Sequence, residues 1–177
     1  MFDRQIQLIG RDGQEKLQKS KVAIIGIGAL GTVAAQLLAR AGVPLVLIDR
    51  DIVEEHNLQR QTLFVKSDIG KPKVVAAKEK LDQISSHIVT KSISLDHKNI
   101  KTLNVDLIID CTDNLKTRFI INDFCKKNKT PWIYGSAIKT SGYVMPIIPD
   151  GPCFSCFSKA ASLDTCDTVG VFTAITS

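Results

Sequence analysis

Residues 21–49 constrain the fold more than any other stretch of this chain. Val22–Ile25 is an apolar run without polar alternation, the pattern of a parallel strand covered on both faces. Gly26, Gly28 and Gly31 then spell G-x-G-x-x-G at the strand end. Leu30, Val33, Ala34, Leu37, Leu38 and Ala41 follow at helical spacing, and Gly42 ends that helix. Leu45–Ile48 is a second apolar strand, closed by Asp49. The unit is therefore β-α-β, with glycines that let phosphate oxygens approach the backbone at a helix N-terminus. Asp49 stands where an acidic side chain can hold ribose hydroxyls. Glycines can also serve only tight helix–strand packing. The strand before them, the helix after them and the acid beyond favour a nucleotide site.

The same two patterns continue along the chain. Residues 3–19 read as one or two short polar helices. Residues 50–61 are too polar for a strand and lack sustained helical periodicity, so they read as a long loop with a helical turn. Gly70-Lys71-Pro72-Lys73 introduces a helix with Val74, Ala77, Leu81 and Ile84 on one face. Residues 88–95 read as a third strand and 105–110 as a fourth. A helix follows with Leu115, Phe119 and Phe124 among its apolar positions, then strands over 131–135 and 142–148. No repeat, low-complexity tract or linker interrupts the series. The expectation is one α/β domain over residues 1–177. It should hold a doubly wound, mostly parallel sheet with a Rossmann-like nucleotide-binding unit.

Composition narrows the partners. The net charge of +5 is spread over scattered lysines with no basic stripe interleaved with aromatics, so nucleic acid is not expected. No apolar stretch approaches the ~20 residues that cross a bilayer. The first residues, Met1-Phe2-Asp3-Arg4-Gln5, form no apolar signal region. The expectations are no membrane and a cytoplasmic location. In that setting five cysteines point to metal or thiol chemistry rather than disulfides.

Arg60, Lys73 and Asp113, with Asn57 beside Arg60, gather around the glycine loop if the strand order is doubly wound. A pyrophosphate needs little beyond helix N–H groups, whereas a triphosphate calls for cationic side chains and Mg²⁺. This grouping favours ATP over NAD, and the absence of G-x-x-x-x-G-K-[ST] excludes a P-loop ATPase. Taken singly, Arg60 or Lys73 would read as a solvated charge and Asp113 as a helix cap. An NAD-dependent oxidoreductase is one alternative, and it leaves Arg60, Lys73 and Asp113 without a joint role. A non-catalytic nucleotide-binding relative is the other.

Five ordered motifs carry a resemblance: residues 26–31 (Gly-Ile-Gly-Ala-Leu-Gly), 48–51 (Ile-Asp-Arg-Asp), 57–61 (Asn-Leu-Gln-Arg-Gln), 70–73 (Gly-Lys-Pro-Lys) and 110–114 (Asp-Cys-Thr-Asp-Asn). With Arg4-Gln5 and Pro152-Cys153-x-x-Cys156, the chain resembles the ubiquitin-activating-like adenylating enzymes of the ThiF/MoeB/HesA type over essentially its whole length. The resemblance implies ATP-dependent adenylation of the C-terminal glycine of a small ubiquitin-like (β-grasp) sulfur-carrier protein, feeding thiamine or molybdopterin sulfur transfer. It implies that Gly28, Ala29 and Asp49, within the loop Gly26–Gly31, hold the nucleotide. Asn57, Arg60 and Lys73 would contact phosphates, and Asp113 would hold Mg²⁺ with Asn114 alongside. Arg4 matches an arginine that reaches the neighbouring subunit's ATP, so a homodimer is implied.

Cys153 and Cys156 are half of a tetrahedral Zn²⁺ site, whose second pair in this family lies beyond the end of this chain. A separate chain would supply that C-terminal portion, and without it the segment 153–156 is expected to be loosely held. Cys111 and Cys125 come too early to complete the set and read as core residues. Cys166 lies near where relatives place a thiol that bonds the carrier protein.

Overall fold

The computed structural model describes residues 1–85 and 87–158. Val22–Ile25 (β1) and Leu45–Ile48 (β2) pair in parallel, and every residue of both strands is buried. Ile88–Lys91 (β3), Leu107–Asp110 (β4), Trp132–Ile138 (β5) and Ser141–Ile147 (β6) complete a sheet of order β3-β2-β1-β4-β5-β6. Five strands are parallel, and β6 returns antiparallel on β5. Successive strand residues point to opposite faces. Val22, Ile24, Leu45 and Leu47 pack with Ala29–Arg40 (α2) and Lys73–Leu81 (α3). Ala23, Ile25, Val46 and Ile48 pack with Leu115–Asn128 (α4). A strand buried on both faces has no polar side to alternate with, which is why these runs read as unbroken apolar stretches. The doubly wound, mostly parallel α/β sheet expected from the sequence is the observed architecture. Among the described residues no helix is long and apolar enough to cross a membrane.

Asp3–Lys19 (α1) is kinked at Gly10, whose φ of 73° is left-handed, so the polar N-terminal segment is two helical pieces. Buried Gln14 ties it to the end of α2, donating to the Ala41 carbonyl at 3.1 Å and accepting from Gln5 at 2.7 Å.

Several expected faces and boundaries differ. In α2 the buried positions are Gly31, Thr32, Ala35 and Ala39, while Leu37 is exposed. Close approach of helix to sheet selects small residues, and Thr32 gives its hydroxyl proton to the Gly28 carbonyl at 2.8 Å. In α4 the inward face is Arg118, Ile120, Ile121, Asn122 and Cys125, not the Leu115 and Phe119 face. Polar partners below the helix draw Arg118 and Asn122 inward. The third strand stops at Lys91, because residues 92–98 bend into a turn where Asp96 accepts the N–H groups of Lys98 and Asn99 at 2.7 Å. β4 is likewise shorter than 105–110, and β5 is longer than 131–135 because β6 pairs along its whole length.

Candidate functional site

The strand order reverses between β1 and β4, and a cavity of about 510 Å³ opens over their carboxyl ends. Its size lies in the roughly 300–1,000 Å³ range of small-molecule sites. The glycine turn forms one wall. Gly26 has φ 89°, and a Cβ there would stand 2.7 Å from the Cys111 carbonyl oxygen. A Cβ on Gly31 would collide with the Gly26 carbonyl oxygen. The protein's own backbone therefore requires both glycines. Gly28 differs: its φ is −97°, and a Cβ would meet only Gln61 Nε2, at an ordinary 3.8 Å. Nothing in the fold demands glycine at 28, and the space it leaves open belongs to the cavity.

Asp49 brackets this turn. Its carboxylate accepts from the Ile27 N–H at 2.6 Å and from the Asp51 N–H at 2.8 Å, which locks the glycine turn to the end of β2. Burial raises its pKa, opposed by the Asp51 N–H, the charge of Lys73 and the Ile27 N–H. Each oxygen keeps a further lone pair for a ligand hydroxyl.

The second wall is the segment between β2 and α3. Its strands of chain cross-link: Ile52 bridges Pro72, the Lys73 N–H donates to the Asp51 carbonyl at 2.9 Å, and the Val53 N–H donates to the Lys71 carbonyl at 2.8 Å. Buried Asp68 anchors the far end, accepting from the Val65 N–H at 3.0 Å and pairing with Lys80 at 3.2 Å. Burial works against its charge, but the Val65 N–H and Lys80 outweigh that and hold its pKa below the usual carboxylate value. Lys73 opens α3 with its ammonium 3.3 Å from Asp51 Oδ2. Asn57 is buried in a single 3-10 turn and accepts from the Glu54 N–H at 3.1 Å. Arg60 donates to the His56 carbonyl at 3.0 Å from the cavity's rim.

The third wall follows β4. Buried Asp110 accepts from the Thr112 N–H at 2.9 Å and its hydroxyl at 2.7 Å, and faces Arg118 at 3.6 Å. Arg118 also donates to the Thr112 carbonyl and lies 4.9 Å from the centre of the Tyr134 ring. Burial pushes the Asp110 carboxyl up to about 6 against the pull of Arg118 and Thr112. The turn so held presents Asp113 to the cavity. The helix cap is Asn114, whose side chain accepts from the Thr117 N–H at 2.9 Å, so Asp113 is released from that duty.

The structure thus places Gly26, Gly28, Ala29, Asp49, Asn57, Arg60, Lys73, Asp113 and Asn114 along one cavity. Arg4 is exposed on α1 and lies outside that lining. Sequence reasoning missed Asp51, Gln61 and Arg118. Asp51 and Gln61 stood inside the quoted motifs, two and four residues beyond Asp49 and Asn57. Arg118 left a fainter signal, a charge in register with the buried Ile121 and Cys125 of α4. Two cations, a buried amide and a free carboxylate facing an open glycine suit a polyanion carrying a hydroxylated sugar.

Away from the cavity, Phe154–Phe157 (α5) contains Cys156 and has Cys153 at its N-cap, the two cysteines of the C-x-x-C. Their sulfurs are 3.7 Å apart, with Cys153 buried and Cys156 exposed. Burial works against the Cys153 thiolate. Hydrogen bonding from Cys156 and Ser155, with the charge of Lys126, outweighs it and lowers the thiol's pKa. The segment is not loosely held: Phe154 is buried among Phe119, Trp132 and Tyr134, and its N–H donates to Asn122 at 2.9 Å. Burying that phenyl ring contributes about 1.5–3 kcal/mol to seating the four-residue helix. Among the described residues no group of three or more His, Cys, Asp or Glu converges to hold a metal ion. Cys125 is a core thiol, pushed up to about 12 by burial. Cys166 lies outside the described residues.

The ThiF family model matches residues 2–177. The sulfur carrier protein ThiS adenylyltransferase of Bacillus subtilis is 40% identical over 173 residues, covering 92% of this chain and 52% of that protein. The molybdopterin-synthase adenylyltransferase of Escherichia coli is 41% identical over 181 residues, covering 96% of this chain and 73% of that protein. This chain therefore spans about half the length of the Bacillus relative. Among solved structures, Escherichia coli MccB with MccA-N7isoASN superposes with a TM-score of 0.87 at 24% identity, covering 99% of this chain and 59% of that one. That likeness is one of fold.

Proposed function

The chain belongs to the ThiF family, and from that membership we propose that it uses ATP to adenylate the C-terminal glycine of a small ubiquitin-like sulfur-carrier protein. The observation that carries the reading is the joint lining of one cavity by Gly28, Asn57, Arg60, Lys73 and Asp113. The Bacillus and Escherichia relatives are adenylyltransferases named for the sulfur carrier ThiS and for molybdopterin synthase, which supports the same substrate class.

The chemistry follows from charge. A glycine carboxylate is already ionised at neutral pH, so the site needs no general base. It is a weak nucleophile towards an anionic triphosphate, so the site must neutralise phosphate charge and align attack on the α-phosphorus. Gly28 lets a phosphate reach the N-terminus of α2, while Lys73 and Arg60 stabilise the departing pyrophosphate. Asp49 takes the ribose. Asp113 fits a divalent cation, its carboxylate accepting no hydrogen bond from the described residues, and Mg²⁺ there would add positive charge against the phosphates. Arg4 would complete the pocket of a second subunit in a homodimer. Cys153 and Cys156, with sulfurs 3.7 Å apart and the Cys153 pKa lowered, would supply half of a zinc site, its other ligands coming from outside the described residues.

ATP–pyrophosphate exchange tests the reading. Exchange should appear only when a β-grasp carrier with a free C-terminal glycine is present, and should vanish when that glycine is amidated. Binding of NAD in preference to ATP would overturn it in favour of a dehydrogenase. ATP binding without exchange, with every candidate carrier, would leave a non-catalytic relative.

A further inference from the structure

Asn57, Arg60 and Gln61 occupy i, i+3 and i+4 of one helical turn, in which the Gln61 N–H donates to the Asn57 carbonyl at 2.9 Å. That spacing sends the three side chains off one face, and all three line the cavity. The proposed function uses Asn57 and Arg60 and leaves Gln61 unassigned. Gln61 is only 3% exposed, yet its Oε1 has no hydrogen-bond partner among the described residues. A buried amide with an orphaned oxygen is a burden on the fold, and a leucine or methionine would pack the same space without it. The amide's other end borders the one open position of the glycine turn, since a Cβ on Gly28 would stand 3.8 Å from Gln61 Nε2. A phosphoryl oxygen seated there accepts and cannot donate, so it selects the NH₂ end of the amide.

We infer that Gln61 is a ligand-contacting residue whose Nε2 donates a hydrogen bond to a phosphoryl oxygen of the nucleotide lying on Gly28. The inference rests on the ATP reading above and extends it. A neutral donor suits this place. The rim already carries the cations Arg60 and Lys73, and a third charge tight against the helix N-terminus would oppose its positive end. Gln61 therefore adds grip on the phosphate without further repulsion inside the site.

The test is equilibrium binding of ATP to the intact protein and to its Gln61→Met and Gln61→Glu variants, with thermal unfolding of each ligand-free protein. Methionine keeps the volume and removes both polar ends. Its ligand-free midpoint should stay level or rise, because the orphaned oxygen is gone, while ATP affinity falls roughly ten- to a hundredfold. Glutamate should lose more, since it turns a donor into an anion facing phosphate. ATP affinity in Gln61→Met within about threefold of wild type would overturn the inference and leave the nucleotide reading standing. So would a ligand-free midpoint lowered by several degrees, which would mark Gln61 as a residue of the fold. Failure of the wild-type protein to bind ATP would overturn the nucleotide reading and this inference together.

Discussion

Two ion pairs flank the cavity, and they are built differently. Arg118 and Asp110 face each other at 3.6 Å with side chains 9% and 0% exposed, beneath the turn that carries Asp113. Lys73 and Asp51 stand 3.3 Å apart with side chains 9% and 54% exposed, at the cavity wall. In the first pair both charges are buried, and the pair acts as a brace for the Asp110–Asp113 turn. In the second pair the lysine is buried while its carboxylate is open to water. Under the proposed function Asp51 would yield the ammonium to a ligand phosphate and be solvated in exchange, so the same kind of contact would hold a working cation. Solvent access to one partner separates scaffold from site.

Breaking the sealed pair should have the largest effect. Arg118→Leu leaves Asp110 buried without its counter-charge, which typically costs ~3–5 kcal/mol. Denaturant unfolding near pH 7 measures this, and Asp110→Asn added to Arg118→Leu should recover part of the loss. A single-variant cost under ~1 kcal/mol would mean that the pair is not sealed.

Lys73→Ala comes next and falls on activity rather than fold. Removing one preorganised cation costs ~3–4 kcal/mol of transition-state stabilisation, about two to three decades in pyrophosphate exchange. Circular dichroism should show an unchanged fold. Exchange within tenfold of wild type would take Lys73 out of the mechanism.

The pH dependence sharpens the contrast further. The Asp110 carboxyl, held up to about 6 by burial, binds its proton more readily folded than unfolded. Its contribution to stability is therefore fully present below about pH 4 and lost as pH rises through about 6. The stability of wild type relative to Asp110→Asn, whose amide stays neutral, should fall over that window, as read from urea midpoints at several pH values. A wild type that gains on the variant as pH rises would reverse the assignment.

Asp51→Asn should do least to the fold. An ion pair with one partner half in water is worth under ~1 kcal/mol, so the thermal midpoint should barely move. ATP affinity should hold or rise, because the lysine loses a competing anion. A marked loss of ATP affinity would show that Asp51 itself serves the ligand.

Much of this was legible in the residues. The apolar runs of β1 and β2, the glycines between them and Asp49 specify a β-α-β unit through local rules, since strand periodicity, helix spacing and turn chemistry act over a few residues. The convergence of Arg60, Lys73 and Asp113 was also legible, because a doubly wound order brings every strand's carboxyl end to one edge. Faces of helices were less so. Leu37 looked like core and lies largely outside, and Phe119 is only partly covered, against Phe154, while Arg118 and Asn122 lie within. Hydrophobicity alone cannot weigh a helix's apolar side chains against polar partners waiting on another element, here Asp110 and the Phe154 N–H.

By itself the sequence determined the β-α-β unit, the doubly wound layers and the chemical class of the groups at the site. Those depend on spacing along the chain, which is written in it. Only the tertiary structure decided that Gly26 and Gly31 serve the fold while Gly28 faces open space, that Asn114 caps α4 and frees Asp113, and that Asp51 rather than bulk water holds Lys73. Each of those outcomes is a competition between partners far apart in sequence, settled by which atoms the packed sheet brings within a few ångströms of each other.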